Sequence, residues 1–296
     1  MTDTLVARVR GLSCWQGRTV GVSPLQGGLS NEAFRVEDGA AHYVARLGGD
    51  IPAHHVFRDN EWAAARAAHA AGLSPELVHS EPGVSVFRFV AGRTWTEEDM
   101  RSGVERIVPL LHRCHREVGR RMTGPGRIFW VFHILRDYAA MLEAAQSPFV
   151  PELARWMPVV DRLEALQAPL PIVFGHHDLL PGNFIDDGDR LWLIDWEYGA
   201  FGTAMFDLAN VATNAGLAPD AEERLLGLYF EREPDEALRV GFDAMKVAST
   251  LREAVWALVS GIHLRKPGVD YAGYATDYLA RTERALAAFQ DRHGPL

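Results

Sequence analysis

His176, Asp178, Asn183 and Asp195 stand close together in the sequence. Pro181-Gly182 lies between them and excludes a helix. Asp178 and Asn183 therefore sit on a loop and its exit strand, and their spacing lets both side chains return to one pocket. Asp195 follows in Leu193-Ile194-Asp195-Trp196. That run pairs as a hairpin with Phe184-Ile185 across Asp186-Asp187-Gly188-Asp189, which brings Asp195 back beside Asn183. A carboxylate and an amide oxygen are hard ligands that suit Mg²⁺, leaving other positions for water and phosphate. Asp178 is left to take a proton from an attacking hydroxyl. One Asp that orients and deprotonates an alcohol, with an Asn and a second Asp on the metal, is the division of labour of phosphoryl transfer.

These residue types are rarely buried unless bound to something, so the cluster has no good purely structural reading. His176 is expected to brace the loop backbone, and His177 to be a loop residue without a catalytic part. Trp130, Trp192 and Trp196 are expected in the core. A rival reading takes His177-Asp178, His133 and Asp207 as a metal phosphohydrolase of the His-Asp type. That pair belongs on a helix, and Pro181-Gly182 argues against one.

The elements that must position these residues divide the chain into two characters. Up to about Gly92 the pattern is of short strands with one helix. Thr19–Leu25 and Val84–Val90 read as strands. Ala33–Val36 and His42–Leu47 flank Glu37-Asp38-Gly39-Ala40 as a hairpin. Asn60–Ala71 is Ala-rich, opens with Asp59 as a plausible N-cap and stops before Gly72. From Thr96 the pattern is helical over Glu97–Arg121, Ile134–Ala145, Pro151–Gln167, Ala221–Phe230, Glu236–Ser260 and Tyr271–Gln290. The catalytic hairpin is an island within this helical part. The expectation is an α+β chain: residues 1–92 as a small antiparallel-sheet lobe, residues 93–296 as a larger, mainly helical lobe.

The chain has 296 residues, 48% apolar and 23% charged, and carries 30 Lys+Arg against 39 Asp+Glu for a net charge of −9. This composition excludes a disordered chain and disfavours a general nucleic-acid binder. Lys246 and Lys266 are the only lysines, so no lysine in the N-terminal half can grip a phosphate. Cys14 and Cys114 make neither a disulfide framework nor a ligand spacing. No apolar run approaches the roughly 20 residues of a membrane span. The expectation is a cytoplasmic protein without membrane insertion.

His-x-Asp-x-x-x-x-Asn followed by Ile-Asp-Trp-Glu-Tyr resembles the aminoglycoside phosphotransferase/choline kinase group, and its choline/ethanolamine kinase branch most closely. Supporting segments are Gly27-Gly28-Leu29-Ser30-Asn31, Tyr43-Val44-Ala45-Arg46, Arg58-Asp59-Asn60-Glu61 and Phe206-Asp207-Leu208-Ala209-Asn210. The resemblance spans about Gly27 to Tyr274 and implies a two-lobe protein-kinase-like fold with ATP and Mg²⁺ as cofactors. Asp178 would be the catalytic base, with Asn183 and Asp195 on the metal. Gly27, Gly28, Ser30 and Asn31 would close over the phosphates. Arg46 would reach the phosphates with Glu61 as its ion partner, and the Phe87–Gly92 backbone would meet adenine. Asp207 would support the catalytic loop.

The resemblance also implies a small amino alcohol acceptor, choline or ethanolamine. Trp256 resembles a ring of the branch's cation cage, and Tyr198, Tyr271 and Tyr274 are further candidates. Glu253 sits near where a second cage tryptophan would be, and Val211-Ala212-Thr213-Asn214-Ala215 lacks the acidic residue and tryptophan expected there. Fewer rings and a displaced carboxylate favour ethanolamine or another amino alcohol over choline. Thiamine and aminoglycosides stay open as acceptors, as does a nucleotide-binding pseudokinase.

Overall fold

The structure, a computed structural model, describes residues 2–25 and 31–296. Helix α1 (Thr2–Arg10) opens the chain. Strands β1 (Gly21–Leu25), β2 (Glu32–Asp38), β3 (Ala41–Leu47), β4 (Leu77–Glu81) and β5 (Val84–Arg88) form an antiparallel sheet in the order β1-β2-β3-β5-β4. Asp38 pairs with Ala41, so the β2–β3 turn is Gly39-Ala40, with Gly39 at φ +60°. Phe34, Val36, Tyr43, Ala45 and Leu47 bury one face of this sheet together with Val9, Leu12 and Trp15. Alternation along two strands thus makes a face that α1 and the following turn cover.

Helix α2 (Arg58–Ala70) begins two residues before the expected Asn60. The cap comes from the preceding loop: Asp50 Oδ1 accepts the Arg58 N–H at 2.8 Å, while Asp59 only meets the adjacent Asn60 N–H. Its alanines, Ala64, Ala65, Ala67 and Ala68, belong to the second and larger core. Small side chains let α2 lie close to that core, which ties the sheet to the helical part.

Strand β6 (Arg93–Thr94) leads into α3 (Glu97–Ser102), α4 (Val104–Arg113), a π turn at Cys114–Val118 and α5 (Gly119–Arg121). The single helix expected over Glu97–Arg121 is therefore divided. Thr96 and Asp99 form a capping box at its start, and the chain turns at Gly103, where a Cβ would lie 2.6 Å from Asp99 O and from the Trp95 ring. Helices α6 (Val131–Ala144) and α7 (Val150–Ala165) follow.

Strand β7 (Ile172–Gly175) precedes the hairpin of β8 (Phe184–Asp186) and β9 (Leu191–Leu193), and β10 (Ala200–Thr203) follows it. Strand β7 pairs with β10, while β6 adds to the hairpin in the order β6-β8-β9. Helices α8 (Ala204–Ala215), α9 (Pro219–Phe230), α10 (Glu236–His263) and α11 (Tyr271–His293) complete the chain. Helix α10 is the central pillar, packed against α6, α8 and α11 and buried along most of its length. No helix among the described residues is long and apolar enough to cross a membrane.

Candidate active site

The loop carrying Asp178 is suspended from α8. Asp207, fully buried, accepts the His176 N–H at 2.9 Å, the His177 N–H at 2.8 Å and His115 Nε2 at 2.9 Å. Burial alone would raise its pKa, but His177, His115 and these hydrogen bonds hold it well below the usual carboxylate range. One turn on, Asn210 Oδ1 accepts the Leu179 N–H at 2.6 Å, and a further turn on, Asn214 Nδ2 donates to Leu179 O at 3.1 Å. The polar spacing 207, 210, 214 on an apolar helix is the sequence signal for this anchor. Of the three, the sequence resemblance assigns a role only to Asp207.

Asp178 is not on a helix. His176 Nδ1 accepts the Asp178 N–H at 3.3 Å and Nε2 meets Ile194 O at 2.9 Å, so the ring donates to that carbonyl and accepts from the loop. His176 thus braces the loop against the residue before Asp195. His177 takes positive φ, +62°, and stacks flat on Phe129 at 4.2 Å. Burial pushes its pKa down to about 4, so the ring is neutral.

Asn183, on the turn Pro181–Asn183, donates from Nδ2 to Asp178 O at 2.8 Å and Asp178 Oδ2 at 3.2 Å. Asn183 lines a cavity, and Oδ1 is its one side-chain acceptor. The Ile194 N–H bonds to Asn183 O at 3.0 Å, which sets Asp195 next to Asn183 as the hairpin predicted. Asp195 has φ +67°, a conformation unusual for a non-glycine residue. Burial drives the Asp178 pKa well above the ordinary carboxylate value. Glu253, Asp195 and Glu197 add to that push, and Arg252 opposes it. A carboxylate with a raised pKa is the stronger base.

Arg46 donates to Glu61 Oε1 at 3.0 Å and to Asp195 Oδ1 at 2.7 Å, so β3, α2 and the end of the hairpin meet at one guanidinium. Burial opposes its charge, but Asp195, Glu61 and Glu197 keep it firmly protonated. A second arginine, Arg58, donates to Glu61 Oε2 at 2.5 Å, to Glu197 Oε2 at 3.0 Å and to Asn31 Oδ1 at 2.9 Å. Asn31 Nδ2 in turn donates to Glu197 Oε2 at 3.2 Å. A Cβ at Gly48 would sit 2.1 Å from Asn31 Oδ1, so a side chain there would displace the Asn31 amide. Arg58 and Glu197 lie within the motifs Arg58-Asp59-Asn60-Glu61 and Ile194-Asp195-Trp196-Glu197-Tyr198, whose spacing alone gives neither a role. Gly27, Gly28 and Ser30 lie outside the described residues.

Asn31, Arg46, Asp178, Asn183, Asp195 and Glu197 line a cavity of about 620 Å³. One end is an apolar slot between the sheet and β8, with Val44, Phe87, Leu180 and Ile185. Val90, Ala91 and Gly92 beside it take part in no backbone hydrogen bond among the described residues. The other end holds Tyr198, Arg252, Glu253, Trp256 and Tyr274. Trp256 Nε1 donates to the Tyr198 hydroxyl at 2.9 Å, and the Tyr274 hydroxyl donates to Glu253 Oε2 at 3.0 Å. Tyr271 does not line the cavity. It is buried behind Trp256, at 6.4 Å between rings, and its hydroxyl has no partner. Arg252 donates from Nη1 to Glu253 Oε1 and lies over the Tyr198 ring at 4.4 Å. It is only 2% exposed, and its Nε and Nη2 have no hydrogen-bond partner.

Asn183 Oδ1 and the Asp195 carboxylate, of which Arg46 takes only Oδ1, are oxygen donors at one wall of this cavity. That donor set fits a hard divalent cation such as Mg²⁺.

Residues 21–238 match the profile of the phosphotransferase enzyme family. A probable ethanolamine kinase of Arabidopsis thaliana is 27% identical, over 86% of this chain and 76% of its own length. A choline/ethanolamine kinase family protein from Mesorhizobium loti has a solved structure at TM-score 0.76 and 28% identity, covering 96% of this chain and 94% of its own. Choline kinase LicA from Streptococcus pneumoniae, at 20% identity and TM-score 0.76, covers 97% of this chain and 99% of its own and shares the fold.

Proposed function

Because the chain belongs to the phosphotransferase enzyme family, we propose that it transfers the γ-phosphoryl group of ATP to the hydroxyl of a small amino alcohol of the choline and ethanolamine type. The observation that carries this reading is the convergence of Asp178, Asn183, Asp195 and Arg46 on one wall of a cavity with a slot at one end and an aromatic, charged pocket at the other. The likeness to choline and ethanolamine kinases supports the acceptor class.

In this reading residues 1–92 hold the nucleotide and residues 93–296 the acceptor. Adenine enters the apolar slot, where the unpaired backbone of Val90–Gly92 meets its edge. Arg46 supports the phosphates, fixed by Glu61, and Asn31 with the preceding Gly27, Gly28 and Ser30 covers them. Asn183 and Asp195 would hold Mg²⁺, which neutralises charge on the transferring phosphoryl group when bound. Asp178 receives the acceptor hydroxyl, orients it in line and takes its proton. Trp256, Tyr274 and Glu253 face the ammonium. Tyr271 acts behind Trp256 rather than on the acceptor. The two free thiols, Cys14 and Cys114, suit a cytoplasmic setting.

The test is an ADP-release panel over ethanolamine, choline, thiamine and several aminoglycosides with ATP and Mg²⁺, the phosphomonoester identified by ³¹P NMR. Turnover of an amino alcohol is expected. Turnover of aminoglycosides alone, or of no acceptor at all, would overturn the reading.

A further inference from the structure

Arg252 is a charged group at the acceptor end whose chemistry the proposed reaction leaves unused. Its side chain is 98% buried, by the 2% of its surface left exposed, and it lines the cavity. One nitrogen, Nη1, is bonded to Glu253. Nε and Nη2, the two nitrogens that together face a carboxylate in a bidentate fork, have no partner. Buried guanidinium N–H groups left without acceptors are costly, and such a group persists where a ligand supplies the acceptor.

We propose that the preferred acceptor is an amino alcohol that also carries a carboxylate, with Arg252 Nε and Nη2 receiving the carboxylate while Glu253 and Tyr274 receive the ammonium. The inference rests on the amino-alcohol kinase reading above and adds the substrate class. Arg252 and Glu253 are neighbours on α10 and are bonded to each other. They present opposite charges side by side, the arrangement that a carbon bearing both ammonium and carboxylate matches. The guanidinium also lies over Tyr198, so that ring already carries a resident cation. A bare quaternary ammonium would meet like charge there instead of an open aromatic face.

A second anion could use the same nitrogens, the transferring phosphoryl group itself. Arg252 clusters with Tyr198, Glu253 and the acceptor end, whereas Arg46 stands with Asp195, so the carboxylate is favoured.

The experiment measures kcat/KM on matched pairs differing only in the carboxylate: L-serine against ethanolamine, L-threonine against 1-amino-2-propanol, and L-homoserine against 3-amino-1-propanol. The wild-type protein should prefer the carboxylate member of at least one pair by about 10²-fold or more, because a built polar site strongly rejects an analogue lacking its partner. In Arg252→Met that ratio should fall below about 10-fold. Arg252→Lys, which keeps the charge but loses the fork, should fall between, and thermal unfolding of both variants shows that they are folded. Equal rates within every pair, or preference for the decarboxylated members, would overturn the inference and leave the kinase reading standing. A loss in Arg252→Met that is equal for both members would assign Arg252 to the phosphoryl group and overturn it too. No phosphorylation of any amino alcohol would overturn both.

Discussion

Replacing Asp207 by Asn should destabilise the chain by about 3–5 kcal/mol at pH 7 and disable the loop that carries Asp178. The wild-type carboxylate is fully buried and accepts three N–H donors between 2.8 and 2.9 Å. An amide keeps one acceptor oxygen, for the His177 N–H. Its NH₂ then faces two donors. His115 can answer by moving its proton to Nδ1, where the Tyr229 hydroxyl lies 2.7 Å away, so that Nε2 accepts instead. The His176 N–H has no such escape and is orphaned, at about 1–3 kcal/mol. Losing charge assistance on the other two bonds adds roughly 1 kcal/mol or more each. Urea midpoints at constant slope give the difference. The Asp207 pKa is depressed in the fold, so its stabilisation is complete above the unfolded carboxylate pKa of about 4 and fades as pH falls through the folded value. The gap between wild type and variant should therefore be flat from pH 7 to 5. With the loop unanchored, kcat should drop at least about tenfold with little change in KM for ATP, because the Arg46 network is separate. A loss under about 1 kcal/mol would refute the view of Asp207 as the anchor.

Asp178→Ala should depress kcat by about 10²–10⁴-fold with ATP binding unchanged, and a comparable loss of ATP affinity would reassign it. Arg46→Ala should chiefly raise KM for ATP, and Asp195→Ala or a chelator should abolish turnover, each read by ADP release. Activity of Asp195→Ala equal to wild type at modest Mg²⁺ would remove Asp195 from the metal. His54, buried between Tyr138 and Ser260, is pushed down to about 3 by burial first and by the Arg252 charge second. The unfolded chain therefore takes up a proton on this ring from about pH 6.5 downward while the fold does not, and stability falls with pH. Between pH 7 and 5 this amounts to about 2 kcal/mol. His54→Gln should shed that slope, and parallel urea-midpoint curves for variant and wild type would count against a neutral His54. Trp256→Ala should weaken acceptor binding roughly 2- to 30-fold without altering KM for ATP, and an unchanged acceptor KM would remove the ring from that site.

The catalytic loop was legible in the chain because its information is local. Pro181-Gly182 forbids a helix, and Asp187-Gly188 closes a hairpin of alternating residues. The five-residue spacing then puts Asp178 and Asn183 at one mouth. Helix α2 was legible for the same reason, but its first residue was not, since its cap comes from Asp50 in another loop, and α1 (Thr2–Arg10) is a second helix in a part where only one was expected. Partnerships across the chain were not legible. Arg58 meets Glu197 from 139 positions away, and α8 presents Asp207, Asn210 and Asn214 to a loop some 30 residues earlier. Periodicity says that such residues share a face, not what that face meets. Tyr271 and Tyr274 make the point at one turn's distance. They lie three apart on α11, so pattern alone treats them alike. The packing of α11 on α10 sets one hydroxyl against Glu253 in the cavity and buries the other behind Trp256. Arg252 and Glu253 are likewise ordinary charged neighbours in sequence. Only their burial at the end of the cavity, where Nε and Nη2 of Arg252 find no partner within the protein, sets them apart.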